Sequence, residues 1–86
     1  MIEVSVTVRD ALHARPASRV SQCAAQFSAE TVLVAGERSG NAKSVLSLMA
    51  LGVEAGSSVA LRATGVDAQA AIEALSRVLE GDAQHG

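Results

Sequence analysis

The sequence predicts an α+β fold of two layers, in which a four-stranded sheet carries three helices on one face, in the order βαββαβα. Three observations lead there. Short segments alternate apolar with polar residues, which gives strands one buried and one solvated face. Between them, apolar residues recur at helical spacing. At 86 residues the chain supports one modest core, so a single domain over residues 1–86 is expected, with no second domain.

Taken in order, Ile2, Val4, Val6 and Val8 alternate with Glu3, Ser5 and Thr7, the two-residue period of a strand. A turn through Arg9, Asp10 and Ala11 leads to the first helix. The chain's one proline, Pro16, suits a first helical turn, because the N–H it lacks would have no intrahelical partner there. His13 then falls at or beside the N-cap, with Ala17, Val20, Ala24 and Phe27 as the buried stripe. Residues 31–35 read as a second strand, Gly36 as a turn and residues 37–40 as a short third strand. Residues 44–51 form a short helix that ends at Gly52, a residue suited to the left-handed conformation of helix ends. Gly56 turns the chain into a fourth strand with Val59, Leu61 and Ala63 facing inward. Gly65 precedes a last helix capped by Asp67, whose Ala68, Ala71, Ile72, Leu75, Val78 and Leu79 keep helical spacing. Residues 81–86 carry no pattern and are expected to be a mobile tail, so His85 receives no role.

Charge and composition narrow the function classes. The formal charge of −2 argues against a general nucleic-acid binder, and with Phe27 as the one aromatic residue, base stacking is removed as a device. The basic residues are uneven: Arg9, Arg15 and Arg19 crowd around His13 in sequence, with Lys43 further on. That suits a local anion or an acidic partner, although a solvated surface charge is the commoner reading of any one of them. Cys23 stands alone, so no internal disulfide is possible, and it reads as a small apolar helix residue. The alternating N-terminus shows no secretory signal, and no apolar run is long enough to span a bilayer. A cytoplasmic monomer with no membrane or nucleic-acid partner is expected, with no cofactor and no metal. So small a chain has little room for an enclosed cavity, which points to a surface site.

The chemistry concentrates in residues 12–18, Leu-His-Ala-Arg-Pro-Ala-Ser. The start of a helix offers unpaired amides and a positive dipole end, which together cradle anions. The amides of Ala14, Arg15, Ala17 and Ser18 are the expected cradle; Pro16 has none to give. The Arg15 guanidinium adds a group suited to phosphate. A neutral ring nitrogen beside such a cradle can accept a phosphoryl group and pass it on, since the P–N bond is labile. Taken singly, each residue has a plain reading: His13 as a polar residue at a helix start, Arg15 as a surface charge, Pro16 as a helix starter.

Ser44 caps the short helix, which is a sufficient structural reason for a serine there. That helix is more apolar than one buried face requires. Leu48 and Leu51 share the better core face, which leaves Val45, Leu46 and Met49 for an exposed docking patch in which a flexible methionine accommodates several partners. Any one of these residues alone also reads as core filling.

Residues 12–18 resemble the active-site segment of the HPr family, the histidine-containing phosphocarriers of the bacterial phosphoenolpyruvate-dependent phosphotransferase system. Residues 41–52, Asn-Ala-Lys-Ser-Val-Leu-Ser-Leu-Met-Ala-Leu-Gly, are similar to that family's regulatory-serine segment. The two motifs lie at the family's separation, and the resemblance covers nearly the whole chain. It implies the open-faced sandwich, a phosphoryl group carried on Nδ1 of His13, and an electrostatic role for Arg15. It also implies Ser44 as a target of a dedicated serine kinase, and Val45, Leu46 and Met49 as partner contacts. The donor would be an Enzyme I-type kinase and the acceptor an Enzyme IIA-type protein, in sugar uptake or in the nitrogen-related relay. Such a protein is a stoichiometric carrier more than an independent catalyst. Departures around Cys23 and at Glu54, Ala55, Gly56 and Ser57 leave partner preference open. Two rival readings belong to other classes: a regulatory binding module controlled through phosphorylation of Ser44, and an unrelated α+β interaction domain with a structural histidine.

Overall fold

Alternation at the N-terminus builds β1 (Ile2–Thr7), along which Val6 is buried while Glu3, Ser5 and Thr7 are exposed. The computed structural model describes residues 1–81. Helix α1 (Ala14–Ala24) follows, then β2 (Glu30–Ala35), β3 (Arg38–Asn41), α2 (Val45–Ala50), β4 (Ser58–Thr64) and α3 (Ala68–Glu80). The strands form one sheet in the order β1-β4-β2-β3, with every neighbouring pair antiparallel.

Register aligns the apolar positions of neighbouring strands. Val6 pairs with Val59, Val4 with Leu61, and Leu61 with Leu33. Leu33, Leu61, Leu48 and Leu75, from β2, β4, α2 and α3, are all fully buried where the sheet meets the helices. Burying one such side chain contributes about 1.5–3 kcal/mol. The opposite face of the sheet is open and polar: Ser5 and Ser58 share a hydrogen bond at 3.0 Å, and Arg62 Nε lies 2.7 Å from Glu3 Oε1. With both partners of that ion pair about half exposed, it is worth under about 1 kcal/mol. The apolar layer, rather than the charge pair, holds the sheet to its helices.

Several boundaries differ from the sequence expectation. Strand β2 begins one residue earlier, and β3 runs over Arg38–Asn41 rather than residues 37–40. Phe27 lies beyond the end of α1, in the turn toward β2, so it is not on the helical stripe, although it packs half-buried against the core. The stripe proper is Ala17, Val20 and Ala24. Gly81 closes α3 in a left-handed conformation (φ 86°) and so belongs to the helix end rather than to a tail; the rest of the expected tail, with His85, lies outside the described residues. Gly52, at φ 67°, ends α2 as expected.

Asp67 occupies the N-cap position of α3 but makes no capping bond to it. Its carboxylate instead accepts hydrogen bonds from the amides of Ser28 (2.9 Å) and Ala29 (2.8 Å), tying the α1–β2 connection to the start of α3. These amides, Ser28 foremost, hold the Asp67 carboxyl below its ordinary pKa. A carboxyl depressed in the folded state stabilises fully above the ordinary carboxylate value of about 4, and its contribution is lost as pH falls through the lower folded value. Asp67→Asn is therefore expected to be less stable than the wild type at neutral pH and to converge with it in acid. Urea denaturation across a pH series checks this; equal stability at neutral pH would contradict it.

Helix α2 sits where it does because β3 comes close beneath it. A Cβ at Gly40 would meet the Ser47 carbonyl oxygen at 3.0 Å, so a side chain there would push α2 away. Arg38 Nη1 then donates to the Ala50 carbonyl at 3.0 Å, satisfying an orphan acceptor at the helix's far end.

Candidate functional site

His13 is the N-cap of α1. Its backbone is extended (φ −74°, ψ −177°), and its side chain makes no capping hydrogen bond. The exposed imidazole is thus not spent on holding the helix. The residues around it are fixed from beneath: Leu12 and Ala17 are buried, and the Leu12 amide donates to the Val53 carbonyl at 3.1 Å. An exposed ring on a packed base is the arrangement a surface transfer site requires.

The amide cradle is narrower than the sequence suggests. The His13 amide donates to the Ala11 carbonyl at 2.8 Å, and the Ala17 amide donates to the His13 carbonyl at 2.9 Å. Ala17 is therefore taken by the first turn of the helix itself, and the Ser18 amide follows in the regular i→i−4 ladder. Pro16 has no N–H. What remains are the amides of Ala14 and Arg15, which have no carbonyl to meet within the helix. No acidic residue lies in the first turn of α1, so no carboxylate of the helix competes there for an incoming anion.

Arg15, two residues after His13, is exposed. The ion pair found among the described residues joins Arg62 to Glu3, so no carboxylate neutralises Arg15. Arg9 behaves differently from the expected cluster. Its amide donates to the Leu79 carbonyl at 2.9 Å and its guanidinium to the Gly81 carbonyl at 3.3 Å, which turns it toward the C-terminal end of α3. With Asp10 and Arg19 it lines a shallow groove between α1 and α3. Cys23 borders the same groove; burial pushes its thiol pKa up, away from the reactive thiolate.

The second motif forms the start of α2. Ser44 is its N-cap, and the hydroxyl accepts the Ser47 amide at 3.2 Å. Asn41 shapes the approach, its Oδ1 accepting the Lys43 amide and its carbonyl the Ser44 amide. Leu48 and Leu51 are buried as expected. Leu46 is 79% exposed and Met49 42%. Val45 departs from the expected docking set: it is half-buried and packs against the core, because it lies one turn before Leu48 on the same side of the helix. The exposed patch is thus Leu46 with Met49. Val66, almost fully exposed in the β4–α3 turn, went unnoticed in the sequence, where nothing distinguishes an apolar turn residue from a core residue.

Among the described residues, no helix is long and apolar enough to cross a membrane. The chain matches the family profile described as "PTS HPr component phosphorylation site" over residues 2–81. It is 36% identical to the phosphocarrier protein HPr of Mycoplasma capricolum, over 86% of this chain and 83% of that protein. It is 35% identical to the phosphocarrier protein NPr of Shewanella violacea, over 91% of this chain and 86% of that one. Among solved structures, the crystal structure of HPr-C-His from Thermoanaerobacter tengcongensis superposes with a TM-score of 0.89 at 38% identity, covering 95% of this chain and 94% of its own. A profile spanning both motifs, together with relatives that share the whole sandwich, places this chain in the HPr family of phosphotransferase-system phosphocarriers.

Proposed function

We propose that His13 is the phosphoryl acceptor and that Arg15, with the amides of Ala14 and Arg15, stabilises the transferred group. The observation that carries this reading is the exposed ring at the N-cap of α1, unused by the helix and beside two amides with no intrahelical partner. In the transfer, the lone pair of Nδ1 forms an N–P bond as the bond from phosphorus to the donor breaks. The product dianion then lies against the two amides, the positive helix end and the Arg15 fork. Two amides hold an anion less tightly than a closed cradle would, which leaves the group transferable.

The donor in this reading is an Enzyme I-type kinase that draws on phosphoenolpyruvate, and the acceptor is an Enzyme IIA-type protein of sugar uptake or of the nitrogen-related relay. The protein acts as a single cytoplasmic domain, as a monomer, and as a carrier consumed and regenerated in each cycle. Ser44 is a phosphorylation site for a serine kinase, and a phosphate at that helix start would act on partner docking through its charge. An intact, exposed His13 favours the carrier over a module controlled through Ser44 alone. To test the reading, the protein is incubated with an Enzyme I-type kinase and phosphoenolpyruvate, and an Enzyme IIA-type protein is then added. One phosphoryl group is expected to be gained and then discharged; no gain from a donor that charges another HPr would refute it.

Leu46 and Met49 serve as the partner contact. Truncating an exposed anchor costs about 1–2 kcal/mol of binding, or about five- to thirtyfold in affinity. Leu46→Ser is expected to raise the KM for the carrier by that factor at unchanged kcat, read from initial rates of donor-dependent phosphorylation. An unchanged KM would remove Leu46 from the interface.

A further inference from the structure

Ser21 lies on α1 eight residues after His13, with Ala17 midway, so the three share one side of the helix. Its hydroxyl donates to the Lys43 carbonyl at 2.8 Å, a partly buried bond across 22 residues of sequence. Lys43 immediately precedes the Ser44 cap of α2. At the other end of α2, the Val53 carbonyl accepts the amide of Leu12, the residue before His13, at 3.1 Å. Two hydrogen bonds therefore bracket α2 against α1, one at its entry through Ser21 and one beyond its exit through Leu12. Between them stand the exposed Leu46 and Met49.

Resting on the reading of His13 and the α2 patch given above, we infer that Ser21 is a positioning residue for phosphoryl transfer. It touches no reacting atom. Its bond fixes the entry of α2 relative to His13, so that one partner can engage Leu46, Met49 and the ring at the same time. A protein partner must engage the ring and α2 together, so a shifted α2 weakens its docking while the chemistry at the ring stays intact. A small donor that ignores α2 needs only the ring.

The test uses Ser21→Val, which puts methyl groups where the hydroxyl stood and loses the donor, and Ser21→Thr, which adds a methyl branch but keeps the hydroxyl. With an Enzyme I-type kinase and phosphoenolpyruvate, Ser21→Val is expected to raise the KM for the carrier about three- to tenfold, the worth of one neutral hydrogen bond. Its kcat is expected to stay within about twofold of the wild type, and Ser21→Thr to keep the wild-type KM. Phosphorylation by phosphoramidate, a small donor with no α2 contact, is expected to run at the wild-type rate in both variants. A wild-type KM in Ser21→Val would overturn the inference, as would an equal loss of rate with phosphoramidate. Failure of the carrier reading itself shows separately, as a wild-type protein that neither donor charges on His13.

Discussion

Replacing His13 by alanine is expected to leave a folded protein that accepts no phosphoryl group from its donor. The ring is exposed and makes no capping bond, so its loss falls in the range of ordinary surface substitutions, within about 0.5 kcal/mol. The packing beneath, through Leu12, Ala17 and Val20, is untouched. Loss of transfer, by contrast, is complete, because no neighbouring group can stand in for the ring. Cys23 is half-buried with its thiol pKa raised, and a serine ester would hold the phosphate in an acid-stable bond. Intact-mass measurement after incubation with donor kinase and phosphoenolpyruvate, beside a thermal unfolding curve, checks both halves of the expectation. A variant that unfolds at the wild-type temperature and still gains an acid-labile phosphate would show that another residue is the acceptor.

Arg15 carries the second large effect. Arg15 is exposed two residues after His13, and among the described residues no carboxylate pairs with it. A hydrogen bond to a charged group is worth about 1.5–3 kcal/mol, so Arg15→Ala is expected to slow transfer about ten- to a hundredfold. Arg15→Lys keeps the charge but loses the planar fork that matches two phosphate oxygens at once. It is expected to fall between alanine and the wild type. Stopped-flow or quench measurement of a single transfer from donor to carrier separates the chemical step from docking. Wild-type rates in both variants would take Arg15 out of the mechanism.

Much of this arrangement is written locally in the chain. Strands β1 and β4 declare themselves through strict alternation, and His13 is placed by Pro16, whose missing N–H marks a first helical turn. The start of α2 is likewise signalled by Ser44 and its end by Gly52. What the chain conceals are partnerships between segments distant in sequence. Asp67 looks like a helix cap and is one by position, but its carboxylate serves the amides of Ser28 and Ala29. Arg9 looks like a neighbour of His13, whereas the turn after β1 delivers it to the end of α3. Ser21 gives no local sign that it will meet Lys43.

The amide cradle is smaller than the sequence suggests for a related reason. Listing amides near a helix start ignores which of them the first turn consumes, and the bond from Ala17 to the His13 carbonyl uses one. Val45 shows the limit of periodicity in a helix of six residues: so short an element can tilt, and the core takes more of it than a stripe would predict. The exposed face that results, Leu46 with Met49, is smaller than periodicity alone suggests.

The most direct test of the central claim is the identity of the bond that holds the phosphate. The protein, labelled with ¹⁵N in its histidines, is charged by the donor kinase and followed by proton–nitrogen correlation of the imidazole resonances, with parallel aliquots exposed to acid and to base. Phosphorus attached to Nδ1 of His13, in a bond that acid cleaves and base leaves intact, is the predicted result. An acid-stable phosphate on a hydroxyl, or a charged protein in which the His13 ring is unmodified, would contradict it.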